Sequence, residues 1–385
     1  MVLRRSLKKI GRYQSKTMLL TRAITKIILF LIFADIYSNA NYASRVPTFG
    51  NYSDVVLSYD GSSYVIPIYD SLISESLRIF GQFEKPSIDL ILSLLDKTND
   101  HIILDIGSNV GVWTIPLAKF AEPNGKVYAF DAQKSMVLYL SSTLVLNGIA
   151  NVFPYNSIVT NVSGYSPLYQ MNYQKRGNYG AYSITHLKTV AEDPIPHYVP
   201  HTLLDMFYQY ELSGKCPTFI KFDIELHEIF AIIGGFNMLL ECHPILYIEA
   251  TCRHLLKSLV ITLDTLGYYV SWVVLPFLDL DYTHNGRRPN MEPSESLVKA
   301  VIGGMNVLAY KKSEKNKAAF HIPGVLYPIQ VNGTEGLFVV EDYKIEVCVN
   351  TVCDVLRHEN EGDFICSNEH VSDFARDYWK RLRPE

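Results

Sequence analysis

Between residues 100 and 311 short, fully apolar runs alternate with longer segments whose apolar residues recur every three to four positions. A run that is apolar throughout and four to eight residues long fits a strand buried on both faces, and the 3.6-residue period fits a helix laid over it. The pattern predicts strands at His101–Ile106, Lys126–Phe130, Asn151–Val159, Thr218–Phe222, Ile245–Glu249, Tyr268–Leu275 and Asn306–Tyr310. Helical patterns fall between them at Trp113–Phe120, Lys134–Asn147, Glu225–Leu240 and Arg253–Leu266, and Asn147-Gly148 is a helix stop. Such alternation predicts an α/β domain whose parallel sheet is covered on both sides. Two further helical patterns, Asp70–Ile79 and Ser87–Leu95, lead into it. There is no internal repeat.

Two stretches interrupt the alternation. Tyr165–His201 is aromatic, polar and glycine-containing, which predicts a long loop or lid rather than a core element. Asp279–Pro293 is a second irregular stretch before the last strand. Beyond Lys311 a charged linker leads to alternating apolar segments in Phe320–Val349 and a tail ending in Asp373–Arg383, expected as a small appended module. The organisation that follows is a leader over 1–40, a lead-in over 41–95, the α/β domain over 96–312 and a cysteine-containing C-terminal extension over 313–385.

Charge changes the picture at the N-terminus. Arg4, Arg5, Lys8, Lys9, Arg12, Lys16, Arg22 and Lys26 all precede the first acid, Asp35, and the apolar run Ile27–Ala34 follows them. Eight helical residues cover about 12 Å, too short for a ~30 Å hydrocarbon core. Extended back to Met18, with Arg22 and Lys26 snorkelling toward headgroups, the segment becomes nearly long enough. Two readings stay open. One is a signal-anchor that would make a single-pass type II membrane protein with a lumenal domain; the other is a signal peptide cleaved near Ser38-Asn39-Ala40 and a secreted product. Both put the domain in the secretory pathway.

Sequons at Asn51, Asn161 and Asn332 permit a glycoprotein there, and six cysteines are free to pair in an oxidising lumen, though spacing does not reveal the pairing. Cys348, Cys353, Cys366 and His370 have spacing that zinc could use, but disulfides are the plainer expectation and no metal is expected. The net charge of −4 gives no basic surface for nucleic acid.

The chemistry concentrates in Ile102–Gly111 (IILDIGSNVG). A buried strand carries Asp105 near its end, and a turn through Gly107, Asn109 and Gly111 leads into the next helix. Glycine lets the backbone bend sharply and lets a ligand approach, while asparagine tolerates left-handed geometry. The helix start offers free N–H groups and a positive dipole end to a carboxylate. A dinucleotide site uses G-x-G-x-x-G; here Gly107-x-Asn109-x-Gly111 is one residue shorter, which with the preceding acid suits an amino-acid cofactor bearing an ammonium. The second strand ends in Asp131, 26 residues on, where an acid accepts hydrogen bonds from ribose hydroxyls.

Ligands in such folds bind beyond the carboxyl ends of the strands. The fourth strand ends in FIKFDIELHE, so Asp223, Glu225, His227 and Glu228 cluster beside the donor position, with Glu249 ending the fifth strand. Asp223 is the first candidate base for an acceptor hydroxyl, His227 the second, with Glu225 beside them. Against this, Glu225 and Glu228 have the ordinary job of charging a helix start, and Glu249 that of a solvated strand end.

These motifs resemble the FkbM-type methyltransferases: LDIGSNVG, VYAFD, Leu146-Asn147-Gly148, HTLLDMF, IKFDIELHE, Tyr247–Glu249 and NVLAY run in that family's order over residues 70–312. The upstream segment IPIYDSLISESLRIFG also looks like that family's lead-in. The resemblance implies a Rossmann-like seven-stranded class I methyltransferase sheet, S-adenosylmethionine as cofactor, and O-methylation of sugars or other hydroxyls. Two positions depart from it. Asp131-Ala132 stands where the family usually has Glu-Pro, and Leu226 where it usually has Gly after Asp-x-Glu, adding bulk on the acceptor side. The expectation is therefore a secretory-pathway methyltransferase acting on a small-molecule or glycan acceptor. The alternatives are a catalytically inactive binding protein on the same fold and an NAD-dependent oxidoreductase. Nothing in the sequence indicates the oligomeric state.

Overall fold

The computed structural model describes residues 52–97, 100–169, 171–184, 196–250, 253–273, 275, 277, 306–313, 326–332 and 337–340. The leader, the Asn51 sequon, the Asp279–Pro293 loop and Cys348, Cys353, Cys366 and His370 lie outside these residues. No helix among the described residues is long and apolar enough to cross a membrane.

The chain enters through a hairpin, β1 (Ser53–Leu57) and β2 (Ser63–Pro67), followed by α1 (Ile73–Phe80) and α2 (Lys85–Leu94). The first helix begins three residues later than Asp70 because Asp70 stays outside it and accepts the Ser74 amide. Then β3 (Ile102–Ile106), α3 (Thr114–Ala121), β4 (Lys126–Asp131), α4 (Lys134–Asn147) and β5 (Val152–Asn156) alternate as the pattern predicts. Helix α4 ends where expected, with Gly148 at φ +65. The short strands β6 (Ile158–Val159), β7 (Tyr165–Leu168) and β8 (His197–Thr202) come next, then α5 (Leu204–Tyr210), β9 (Phe219–Phe222), α6 (Glu228–Gly234) and α7 (Phe236–Cys242). The rest are β10 (Ile245–Glu249), α8 (Arg253–Thr265), β11 (Tyr268–Val273), β12 (Asn306–Lys311), β13 (Leu326–Asn332) and β14 (Leu337–Val340).

The main sheet runs β14-β13-β11-β12-β10-β9-β3-β4-β5. Strands β5, β4, β3, β9 and β10 are parallel, while β12 is antiparallel to both its neighbours. Seven of these strands form the Rossmann-like sheet the sequence predicts, and β13 and β14 extend it by two drawn from the C-terminal extension. From β3 the chain winds one way to β4 and β5, then returns past β3 to β9 and β10. The crevice between β3 and β9 is therefore a topological switch point, where such sheets bind ligands beyond the strand ends.

Alternate residues of each central strand feed opposite cores. On one face Ile103, Val127, Ala129, Phe219, Tyr247 and Leu308 pack with Ile91, Trp113, Leu117 and Leu140 from the helices. On the other, Leu104, Phe130, Ile220, Phe222, Leu246 and Ile248 pack with Phe207, Ile232, Met238 and Leu263. Each of the larger aliphatic and aromatic side chains contributes roughly 1.5–3 kcal/mol of burial, which anchors the strands under the site.

Three predicted elements differ. The helix expected over Glu225–Leu240 is two, broken at Gly234-Gly235. There a Cβ on Gly234 would lie 2.1 Å from the Thr160 carbonyl oxygen, so a neighbouring backbone occupies the space of a side chain. The strand over Asn151–Val159 breaks at Ser157, which turns to bond Pro200 and Thr202. The ends of the expected lid are strands, β7 and β8, which pair with each other while β8 also pairs with β6. Cys216 and Cys242 form a disulfide that links the loop before β9 to the end of α7.

Candidate functional site

The glycine turn has the geometry its residues suggest: Gly107 sits at φ +89, Asn109 at +47 and Gly111 at +98. Its amides are all used. Gly107 and Ser108 donate to Phe130 O, each at 2.9 Å, and Gly111 donates to Ser108 O at 2.9 Å. Asn109 N donates to Asp131 Oδ2 at 2.9 Å and Val110 N to the Asn109 side chain at 2.8 Å. Asp131 thus ties the turn to the end of β4, its other oxygen accepting Gln133 N. Burial raises its pKa to about 6.

Strand register places Asp105, Lys221 and Tyr247 side by side across β3, β9 and β10. Asp105 is fully buried; its Oδ2 accepts the Thr114 hydroxyl at 2.5 Å, whereas Oδ1 has no hydrogen-bond donor and lies 3.7 Å from Lys221 Nζ. Lys221 is the only buried lysine or arginine among the residues whose side chains the structure describes. Burial by itself would depress its pKa, but the carboxylates of Asp223, Asp105 and Glu84 more than offset that and raise it.

One residue step beyond, Asp223, Glu225 and Glu249 bring one carboxylate oxygen each within 4.8 Å of one another. Such a trio can share protons or hold a cation. Glu84 joins the group from the α1–α2 junction, its Oε2 accepting Trp113 Nε1 at 2.7 Å. Burial, helped by Asp223, lifts Glu84 to about 7. Burial and neighbouring carboxylates push Glu225 and Glu249 well up. Glu228 turns back to accept Ile224 N at 3.0 Å, the helix-start role weighed for it, and burial raises it to about 7.

Of the residues singled out from sequence, Asp105, Gly107, Asn109, Gly111 and Asp131 line one turn, and Asp223 and Glu225 flank it. His227 faces elsewhere: its Nε2 bonds the Thr160 hydroxyl at 3.0 Å and its ring stacks on Phe230. Burial, with His201 nearby, depresses its pKa to about 4, so it is neutral near pH 7. Sequence reading missed Lys221, Glu84 and Trp113. A lysine inside the apolar strand FIKF was a legible signal, since lysine is seldom buried without a partner; Glu84 carried none.

Residues 171–184 of the expected lid are tied to residues on either side of the turn. Tyr179 N donates to Asp70 Oδ1, Gln133 Nε2 to Tyr179 O, and the Tyr173 hydroxyl to Gln133 Oε1. The Ser183 hydroxyl donates to Glu225 O at 2.8 Å. The segment therefore bridges the Asp131 end of the site and the carboxylate end.

Leu226 occupies φ +73, directly after Glu225 at +54. A left-handed backbone costs a β-carbon-bearing residue about 1–2 kcal/mol, and glycine returns part of that as chain entropy. Leu226→Gly is expected to stabilise the fold by about 0.5–1 kcal/mol, read as a rise of roughly 2 °C in Tm. An unchanged or lower Tm would contradict strain at this position.

No protein-family model matches this sequence, and no curated protein matches it. Solved structures do. The methyltransferase FkbM from Methylobacillus flagellatus aligns at 15% identity with a TM-score of 0.35, over 55% of this chain and 44% of its own. An SAM-dependent methyltransferase from Agrobacterium tumefaciens aligns at 10% identity and TM-score 0.37, over 68% and 71% of the two chains. An SAM-dependent O-methyltransferase from Thermotoga maritima aligns at 12% and 0.34, over 68% and 79%. This chain spans less than half the length of the first of these. Likeness this weak decides nothing about activity, and the fold stands on its own strand order.

Proposed function

We propose that the protein is an S-adenosylmethionine-dependent methyltransferase that methylates a hydroxyl of a glycan or glycoconjugate in the secretory pathway. The observation that carries the donor assignment is a glycine turn at the switch point, flanked by Asp105, Asp131, Asp223 and Glu84, with Lys221 the one cation found buried among the described side chains. Such a surface repels a diphosphate and attracts a cation, which disfavours a dinucleotide. Asp105 Oδ1, buried without a donor, fits a ligand that offers an ammonium N–H. Asp131 is the residue to hold ribose hydroxyls. When bound, the cofactor supplies an electrophilic methyl group.

On the acceptor side, Asp223 keeps one oxygen on Lys221 at 3.0 Å and is partly open to solvent, so its second oxygen is available to take the acceptor's hydroxyl proton. The basic leader and the Cys216–Cys242 disulfide support a lumenal address, whether the leader anchors the protein or is cleaved.

Calorimetry with S-adenosylmethionine and with NADH tests the donor. Wild-type protein is expected to bind the former and not the latter, and Asp131→Ala to weaken binding by at least about tenfold, since it removes both the ribose contact and a tie of the turn. Absence of binding to wild type would sink the proposal; mass shifts on a glycan panel then test the acceptor.

A further inference from the structure

We propose that Lys221 is a positioning residue that locks the glycine turn to Asp223, so that the donor end and the acceptor end of the site move as one unit. Its ammonium donates to Gly107 O at 3.1 Å and pairs with Asp223 Oδ2 at 3.0 Å and Asp105 Oδ1 at 3.7 Å. Two N–H groups thus meet oxygens, one from the turn and one from the residue after β9, while Asp105 Oδ1 on β3 attracts the ammonium by charge alone. The indole of Trp113 closes the remaining side, its ring centre 5.9 Å from Nζ.

The location makes the contact rigid. Lys221 is 3% exposed on the strand between β3 and β10, and Asp105 beside it is 0% exposed. A buried ammonium is tolerated only when its partners are well placed, so each of these oxygens is held by the need to compensate the charge. Asp223 is the exposed member of the set, with a third of its side chain open to solvent. It is therefore the point at which an event on the acceptor side reaches Lys221, and through it the carbonyl of Gly107. The consequence for catalysis rests on the donor reading above; the geometry does not.

The prediction is one of coupling. With Lys221 present, D223N removes a charged partner of the ammonium and loosens the turn. Without Lys221 the same change has nothing to act through. Amide hydrogen exchange of residues 107–111 in the ligand-free full-length protein reads this directly, because all five amides are hydrogen-bonded. In a cycle of wild type, K221M, D223N and the double variant, D223N is expected to speed exchange about tenfold alone and less than about twofold in the K221M background. Equal effects in the two backgrounds, or no effect of K221M, would overturn the proposal. If K221M does not fold, K221Q, which keeps an N–H donor without the charge, takes its place in the cycle and is judged the same way. Calorimetry with S-adenosylmethionine on the same proteins separates the two ideas. Saturating exchange effects without cofactor binding would remove the donor reading and leave Lys221 as the lock; additive exchange effects with normal binding would do the reverse.

Discussion

Gly107→Ala is expected to destabilise the protein by about 3–5 kcal/mol and to abolish cofactor binding, the larger part of the loss coming from backbone collision. At φ +89 the added methyl would sit 1.7 Å from the Asp223 carbonyl oxygen and 2.7 Å from its carbon. Neither atom belongs to a flexible side chain. The two strand ends cannot part, because Asp223 N donates to Ile106 O at 3.0 Å and the ladder pairs Ile106 with Phe222. Left-handed strain adds about 1–2 kcal/mol. Gly111→Ala is the internal control. Its methyl would meet Leu140 Cδ1 at 2.7 Å, the tip of a side chain that can turn, so only the strain of φ +98 remains, about 1–2 kcal/mol. Urea titrations of both variants check the order. A loss below about 1 kcal/mol for Gly107→Ala would show that β3 and β9 approach less closely than described.

Stability is expected to fall as pH rises from about 5 to 8, the reverse of a protein whose carboxylates are all salt-bridged. Glu84 and Glu228 titrate at about 7 and Asp131 at about 6 in the folded state, all raised chiefly by burial, and burial raises Glu225 and Glu249 as well. A carboxyl with a raised pKa binds its proton more tightly when folded. Its contribution is fully present below the unfolded value near 4 and is lost as pH climbs through the folded value. A shift of roughly two units corresponds to about 3 kcal/mol for an isolated group, and the total is less than the sum because the groups interact. His227 opposes this: its pKa is lowered to about 4, so it costs stability as pH falls below about 6.5. One histidine against five carboxyls leaves the decline in place. Urea midpoints measured from pH 5 to 8 should drop. Glu84→Gln should flatten the slope and His227→Ala should steepen it. Midpoints that rise across this range would mean that these carboxyls stay ionised in the folded protein.

How much of this was legible without coordinates differs from residue to residue. The turn was legible because its chemistry is local: glycine and asparagine at 107, 109 and 111 are the residue types that tolerate the left-handed backbone found there. Lys221 was half legible, as a charge inside an apolar run whose partners the run does not name. Glu84 was not legible at all. It reaches the site because Trp113 and Phe277 pack on the α1–α2 junction, a contact between segments far apart in the chain. His227 shows the opposite error, since proximity in sequence to Asp223 does not put its ring on the same side.

The chain by itself determined the alternation of buried strands and covering helices, the two-faced core and the glycine turn at the end of β3. Each follows from short-range rules: side-chain period, apolar burial and backbone freedom. Only the tertiary structure decided which charges meet. The carboxylates of Glu84, Asp105, Asp223, Glu225 and Glu249 come from four separate segments, and their proton affinities depend on distance and burial, which no linear spacing encodes. The same holds for Leu226, whose left-handed backbone at φ +73 runs against its own preference.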